Sequence, residues 1–220
     1  MFQYCTSLKS LDLSNFNTEN VINFAYMFNG CEKLISLDIS NFNTLKANKM
    51  FSMFRGCSSL TSLDLYKFDT SYVSSMDEMF ADCSSLKTLR ISDKFNSNSL
   101  EQMERMFSNC KSLLSLDLSS FSTSNVKYID YAFNNCSSLT SLDVSNFRTT
   151  NVFNAKYMFN SCSSLTSLYL PYFDTSKVDD DRLQSLFDSC YLLKLTINKE
   201  KCANLISLIP SYVEVIGIDN

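Results

Sequence analysis

The sequence contains no histidine and no tryptophan, and it has only three glycines and two prolines. Serine and cysteine nucleophile systems need an imidazole as proton acceptor, and mixed cysteine–histidine zinc sites need one as a ligand. The glycines Gly30, Gly56 and Gly217 stand alone, so no glycine-rich loop is available to bind phosphate. We therefore expect a protein that is not an enzyme and that holds no cofactor and no metal.

Charge and hydropathy argue against two further classes of protein. The 19 basic and 23 acidic side chains are spread along the chain and give a net charge of −4, so no basic stripe is available to neutralise phosphates. No apolar run approaches the roughly 18 residues of a membrane span, and no charged segment followed by an apolar one marks a signal peptide. We expect neither nucleic-acid binding nor a membrane span in this chain.

Cysteine recurs at intervals of 26, 26, 26, 27, 26, 26 and 28 residues, each time within the same pattern of residues. A period of this length is typical of a solenoid, in which each coil buries its apolar face against its neighbours. The pattern predicts about eight repeats over residues 1–198 and a C-terminal cap over residues 199–220, in which Cys202 is out of register. The repeats are keyed on Cys5, Cys31, Cys57, Cys83, Cys110, Cys136, Cys162 and Cys190.

Each repeat carries two hydrophobic periods. In the third repeat, Leu63 and Leu65 alternate with polar residues, as in a strand with one buried face. Later in the same repeat, Met76, Met79 and Phe80 are three and four residues apart, a spacing typical of a short helix. One strand from each coil, all in the same direction, forms a parallel sheet. The predicted fold is an α/β solenoid with one parallel β-sheet face and short helices opposite.

Between the two halves of each repeat, a phenylalanine is followed two residues later by threonine or serine. We expect the phenyl ring to fill a corner of the core and the hydroxyl to satisfy backbone groups where the chain turns. The seven pairs are Phe16/Thr18, Phe42/Thr44, Phe68/Thr70, Phe95/Ser97, Phe121/Thr123, Phe147/Thr149 and Phe173/Thr175.

The repeated phrase Met-Phe-x-x-Cys-Ser-Ser-Leu-x-x-Leu-Asp-Leu-Ser-x-Phe-x-Thr-Ser-x-Val resembles the repeat of BspA-like bacterial surface proteins, a branch of the leucine-rich repeats found in mycoplasma-type lipoproteins. The resemblance covers about residues 1–190. It departs from many leucine-rich repeats at Phe16, Phe42 and Phe68, where those proteins place asparagine. The resemblance implies a right-handed coil at the cell surface or outside the cell, used for adhesion or recognition and without catalytic residues. A cytoplasmic location is the alternative.

The cysteine column invites a metal or disulfide interpretation. Zinc sites need ligands two to four residues apart, whereas cysteines one repeat apart lie in a single line along the solenoid. Parallel Cβ vectors in such a line are also poorly oriented for a disulfide. We therefore expect buried, reduced thiols that act as small apolar side chains in the core.

The outward column of the strands is the candidate binding face. One interpretation is a solvated, charged surface that prevents aggregation, and the other is a surface for a cationic partner or a divalent ion. Tyr169 and Tyr172 replace the small polar residues of earlier repeats, either as contact anchors or as packing against the cap. The candidate residues are Asp12, Asp38, Asp64, Arg90, Asp117, Asp143, Tyr169 and Tyr172.

Two functions remain open from the sequence. In the first, the sheet face binds a protein or glycan on a host or neighbouring cell. In the second, the array is a spacer or self-assembling scaffold, because the chain begins inside a unit at Met1-Phe2 and an open end is expected there for end-to-end association. Ice or mineral binding by regular hydroxyl rows is disfavoured, because aspartate interrupts those rows. Binding predicts that residues departing from the consensus cluster on one face, whereas a spacer predicts scatter.

Overall fold

The computed structural model describes residues 1–96 and 98–218. Within those residues every paired strand runs parallel to its neighbour, and the pairs are β1–β2, β3–β4 and β5–β6–β7. The described helices are the single α-helical turn α1, Ala203–Ile206, and a 3-10 turn at Asp180–Arg182. The strands are β1 Ser62–Asp64, β2 Thr88–Arg90, β3 Ser115–Asp117, β4 Ser141–Asp143, β5 Ser167–Leu170, β6 Lys194–Asn198 and β7 Glu214–Ile218.

The strands pair one coil apart and in register. Leu63 lies opposite Leu89, and Leu116 lies opposite Leu142, so the inward leucines of successive coils stack. The outward neighbours of these leucines are exposed, as the alternating pattern predicts. The chain is a repeat solenoid whose sheet consists of short parallel strands, and the strand prediction is confirmed from the third repeat onward.

The first two repeats do not form the predicted strands. The described backbone there follows turns, with one bond from Ile35 N to Lys9 O (3.1 Å) between the two coils on this side. Leu8 and Leu11 of the first coil are only partly buried, so the side-chain packing that fixes a strand is weaker at this end. Asp12 and Asp38 therefore lie in irregular segments rather than on a sheet.

The sheet is also interrupted between β2 and β3. The interval from Cys83 to Cys110 is one residue longer than its neighbours, and the extra residue lies between Ile91 and Phe95. The strand ladder is interrupted again between β4 and β5, where the interval is the regular 26 residues, so the added residue alone does not account for the gap between β2 and β3. A crevice of about 350 Å³ lies beside Arg90 and Asp117 at this interruption.

The predicted helices opposite the sheet are wrong. The segment 77–82 consists of turns, because Glu78 and Asp82 adopt positive φ angles of 55° and 62° that end any α-helical path. The backbone N–H groups alternate between two kinds of partner. Met79 N donates to Met76 O within the same coil (3.2 Å), and Phe80 N donates to Met106 O of the next coil (2.9 Å). The apolar spacings of three and four residues therefore arise from these turns. Together the turns of successive coils form a second hydrogen-bonded ladder along the solenoid, which we call the turn ladder.

Phenylalanine rings stack along the core at the centre of each turn segment. The centroids of Phe54 and Phe80 are 5.7 Å apart, those of Phe80 and Phe107 are 5.2 Å apart, and the planes are within 10° of parallel. Phe2 stacks on one neighbour of this column, Phe28, and is only partly buried. Each central ring thus contacts rings on both sides, which makes the core continuous from coil to coil.

The cysteine thiols do more than fill space. Cys57 Sγ donates a hydrogen bond to Phe28 O (3.2 Å), and Cys83 Sγ donates one to Phe54 O (3.1 Å). The same bond recurs up to Cys190, and each links a coil to the preceding coil. Burial is confirmed for every cysteine except Cys5, which is exposed, and all nine are free thiols. Burial raises the pKa of the Cys83 thiol to about 12.

The threonine hydroxyls bond the backbone of the next coil rather than their own turn. Thr44 Oγ1 donates to Asp69 O (2.9 Å) and accepts from Asp69 N (2.8 Å). Thr149 makes the same pair of bonds with Asp174, at 2.8 and 2.6 Å. The expectation that these hydroxyls satisfy backbone groups is confirmed, and Ser97 lies outside the described residues.

The C-terminal segment is less helical than the pattern predicts. The sequence favours a helix over residues 199–209, whereas the helix is the single turn α1 and the following chain forms β7. Asn204 fastens this segment to the last coil, because its Oδ1 accepts from Thr175 Oγ1 (2.6 Å) and its Nδ2 donates to Val178 O (2.9 Å). The domain boundary at residue 198 remains a prediction.

Truncation of a central ring is expected to destabilise the fold more than truncation of a terminal one. Phe80→Ala removes stacking on both sides and should lower the free energy of unfolding by about 3–5 kcal/mol, whereas Phe2→Ala removes stacking on one side of a partly buried ring and should lower it less. Urea unfolding of both variants measures the difference. Equal unfolding midpoints would contradict stability distributed by coil.

The burial of the thiols predicts selective alkylation. Under native conditions iodoacetamide should label Cys5 and leave the buried cysteines unmodified, because thiolate formation is suppressed and access is closed. Mass spectrometry before and after denaturation provides the measurement, and nine labels are expected in denaturant. Labelling of the central cysteines without denaturant, or a disulfide between neighbouring coils, would show that the core assignment is wrong.

Candidate functional site

The candidate face is built from the outward side chains of the strands. Asp64 lies opposite Arg90 on β1 and β2, and Asp117 lies opposite Asp143 on β3 and β4. These four side chains are exposed. The structure thus brings the central members of the predicted column together in pairs, separated by the interruption after β2.

The aspartates of this column have a structural role that the sequence analysis missed. Asp117 Oδ1 accepts a hydrogen bond from Ser119 N (2.9 Å), and Asp64 Oδ1 accepts one from Tyr66 N (2.9 Å). Each carboxylate closes an Asx turn where the strand ends. The bond from Tyr66 N lowers the pKa of Asp64, and the hydroxyl of Ser119, followed by its backbone N–H, lowers the pKa of Asp117, because each bond stabilises the charged form. The same bond occurs at Asp12, Asp38 and Asp143.

Arg90 is held on this surface by two neighbours. Its Nη1 lies 2.9 Å from Asp64 Oδ2, and its guanidinium carbon lies 4.3 Å from the centroid of the Tyr66 ring. A surface ion pair of this kind contributes at most about 1 kcal/mol. Its larger effect is on charge, because Arg90 neutralises Asp64 and divides the acidic column in two.

The C-terminal part of the face is apolar. Tyr169 on β5 lies beside Thr196 on β6, which lies beside Ile216 on β7, so the three form one outward row. Tyr169 is 52% exposed and Ile216 is 44% exposed. Ile216 was missed in the sequence analysis because the register of the last strand does not follow from the repeat spacing. An aromatic and an aliphatic side chain are therefore exposed together on one sheet.

Charged groups surround this apolar row. Lys194 Nζ on β6 pairs with Glu214 Oε2 on β7 at 3.2 Å. Tyr172 follows β5, and the guanidinium carbon of Arg148 lies 4.2 Å from its ring centroid. This cation–π contact orients the exposed Tyr172 ring without burying it. We name Tyr169, Tyr172, Thr196 and Ile216 the tyrosine row.

The structure does not assemble a metal site from the aspartate column. Among residues 1–96 and 98–218, no group of three cysteine, aspartate or glutamate side chains is placed to hold a metal ion. Each Asp of the column instead has an Oδ1 engaged by its own turn.

A second cluster of carboxyl groups lies on the turn ladder, where the sequence analysis predicted helix. Asp77, Glu104 and Asp130 occupy one column on successive coils. Asp77 accepts from Ser75 Oγ and from Glu104 N, both at 2.9 Å. Asp130 is buried, and its Oδ1 has no hydrogen-bond partner among the described residues. The signal in the sequence was an acidic residue at the same position of three consecutive repeats.

Burial and mutual repulsion shift the titration of this cluster. Desolvation, followed by the charges of Asp130 and Asp77, raises the pKa of Glu104 to about 7. Desolvation also raises the pKa of Asp77 and of Asp130. A raised carboxyl pKa means that the folded state favours the protonated form, so its stabilising contribution is present at acidic pH and is lost as the pH rises through about 7.

Comparison with known proteins gives one family. The profile described as "Mycoplasma protein of unknown function, DUF285" matches residues 1–113 and again residues 87–200. No match was found among curated proteins.

Several solved structures are similar over most of the chain. A leucine-rich cell surface protein from Faecalibacterium prausnitzii is 17% identical, with 99% of this chain and 75% of that chain covered and a TM-score of 0.36. A leucine-rich repeat protein from Bacteroides ovatus is 16% identical, with coverages of 99% and 80% and a TM-score of 0.30. An internalin from Listeria monocytogenes is 15% identical, with coverages of 88% and 70% and a TM-score of 0.25.

A search of the described helices for one long and apolar enough to cross a membrane found none.

The carboxyl cluster predicts a specific dependence of stability on pH. Glu104→Gln removes the group that must ionise beside Asp77 and Asp130, so the variant should be more stable than the parent protein at pH 8, and the difference should shrink toward pH 5. Urea unfolding midpoints across this range provide the measurement. Glu32→Gln, at an exposed glutamate outside the cluster, is the control and should follow the parent. A difference for Glu104→Gln that does not change with pH would contradict the shifted titration.

Proposed function

We propose, from the premise that the chain belongs to the family of mycoplasma proteins of unknown function, DUF285, that it is a non-catalytic recognition domain displayed at the cell surface. In this proposal the sheet face binds a protein on a host or neighbouring cell. The observation that carries the proposal is the tyrosine row, in which Tyr169, Tyr172 and Ile216 are exposed together at one end of the sheet face.

The composition of the row fits a protein contact. Tyrosine buries a large area with the loss of few rotatable bonds, and such residues dominate the energy of protein interfaces. Tyr169 and Ile216 supply the apolar centre, while the Lys194–Glu214 pair lies beside them as a polar rim. An apolar centre with a charged rim is the usual anatomy of a binding patch.

The charges near the row indicate the chemistry of the partner. Asp117 and Asp143 are exposed on adjacent strands, and no basic side chain pairs with either one among the described ion pairs. Two carboxylates beside an apolar row favour a partner surface that combines basic and apolar side chains. Complementary charge of this kind raises the association rate and selects the orientation of the complex.

The grouping of three outward side chains at the C-terminal end of the sheet favours recognition over a spacer, while further exposed departures from the consensus lie elsewhere, at Ile22 and Phe153. A spacer predicts that such departures are scattered, whereas Tyr169, Thr196 and Ile216 lie side by side on three neighbouring strands. This clustering on one surface supports binding through the sheet face.

The test restores the consensus at two positions. Replacing Tyr169 by Ser and Tyr172 by Asn removes two exposed rings and should change the free energy of unfolding by no more than about 1 kcal/mol. On an array of purified extracellular proteins, the proteins bound by the parent should be lost by the double variant. Tyr72→Ser, at an exposed tyrosine outside the strands, should retain them.

Two outcomes would contradict the sheet-face site. The first is a double variant that binds the same proteins as strongly as the parent. The second is a double variant that unfolds, since this would show that the tyrosines pack structurally.

A further inference from the structure

An open groove of about 600 Å³ lies on the coils outside the strands, between the threonine column and the turn ladder. Two ridges of side chains border it, and both run along the solenoid axis. One ridge contains the amides of Asn125 and Asn151, and Asn98 lies at its end. The other contains Glu101, Lys127 and Phe153. The groove crosses three coils, which spans roughly 10 Å at the spacing of paired strands.

The amide ridge is held in a fixed orientation. Asn125 Nδ2 donates to Asn98 O (2.6 Å), and Asn151 Nδ2 donates to Ser124 O (2.8 Å). Each bond joins a side chain to the backbone of the preceding coil. Since one N–H of each amide is used in this way, the carbonyl oxygen and the second N–H remain as an acceptor and a donor for a ligand in the groove.

The opposite ridge is electrically balanced. Lys127 Nζ lies 2.7 Å from Glu101 Oε2, so the two charges neutralise each other while keeping further donors and acceptors. Neither the amides nor this pair gives the groove a net charge. A strongly anionic or cationic ligand therefore has no counter-charge here, whereas a neutral ligand rich in hydroxyl groups has several partners.

An aromatic ring closes the same ridge. Phe153 is 50% exposed, and its ring centroid lies 6.4 Å from that of Tyr128. Its backbone is fixed on both sides, because Phe153 N donates to Lys127 O (2.8 Å) and Phe153 O accepts from Arg182 Nη1 (3.4 Å). The ring does not belong to the core. The half-exposed ring therefore borders the same groove as the amides and the Glu101–Lys127 pair.

From these observations we propose that the groove between Asn125, Asn151, Lys127 and Phe153 binds a neutral oligosaccharide. The ring of Phe153 packs against the apolar C–H face of one sugar, and the amides and the Glu101–Lys127 pair bond its hydroxyl groups. The volume lies within the range of small-molecule sites. This site is separate from the tyrosine row, so it extends the proposed recognition function and does not depend on it.

The test uses defined sugars and paired variants. Chitotetraose, maltotetraose and mannotetraose serve as neutral probes, and tetragalacturonic acid serves as the charged probe, each titrated calorimetrically into the intact chain. We expect at least one neutral probe to bind and the charged probe to bind more weakly. Phe153→Ala should weaken binding by about tenfold or more, as for truncation of an aromatic anchor. Phe153→Tyr, which keeps the ring, should stay within a few-fold of the parent.

The chain contains a matched control. Ile22 occupies the column of Phe153 several coils earlier and is similarly exposed, but it lies outside the groove. Ile22→Ala should therefore leave saccharide binding unchanged. The double variant at Tyr169 and Tyr172 should also leave it unchanged, which separates this site from the sheet face.

Three results would overturn the proposal. One is the absence of binding by every neutral probe at millimolar concentration. Another is equal binding by Phe153→Ala and the parent. The third is loss of saccharide binding in the tyrosine double variant with retention in Phe153→Ala, which would place the sugar on the sheet face. Far-ultraviolet circular dichroism of each variant verifies that the fold is intact.

Discussion

Hydrogen bonding between successive coils is the constraint on which the rest of the structure depends. The strands use it on one side, and on the other side the turn ladder pairs groups such as Phe54 N with Met79 O at 2.9 Å. Both ladders fix the rise of the solenoid at one strand spacing per coil. The positive φ angles of Glu78 and Asp82 are tolerated because their strain, of order 1 kcal/mol each, is offset by these repeated bonds.

A fixed rise forces identical side chains into columns. The side chains of each column must then pack, hydrogen-bond or ionise next to their own kind. Phenylalanine can do so because parallel rings fit the spacing, as between Phe133 and Phe159 at 5.4 Å. Cysteine can do so because its thiol is small and still donates to the carbonyl of the preceding coil. Carboxylates can do so where each accepts a backbone N–H of its own turn, as Asp117 does, but burial raises the pKa of Asp77, Glu104 and Asp130 on the turn ladder.

The repeat period and the burial of its columns could be predicted from the sequence, because both follow from spacing alone. The turns that take the place of the predicted helices could not be predicted. An apolar spacing of three and four residues is shared by a helix and by a run of turns bonded to a neighbouring coil, and only the partner of each N–H distinguishes them. The Asx turns were readable in principle from Asp117 and Ser119, two residues apart at a strand end. The outward position of Ile216 could not be predicted, because the register of β7 is set by the cap and not by the repeat spacing.

Side chains in the outward columns do not have to pack against or bond one another. Binding surfaces can therefore arise in these columns. Phe153 and Ile22 share a column with serine, asparagine, glutamate and lysine, and neither of these two is buried. Substitution there leaves the rings, thiols and hydroxyls that join the coils unchanged. A solenoid of this kind can therefore acquire an anchor on the sheet face and another beside the turn ladder independently, since each surface is displayed by the same stack without contributing to it.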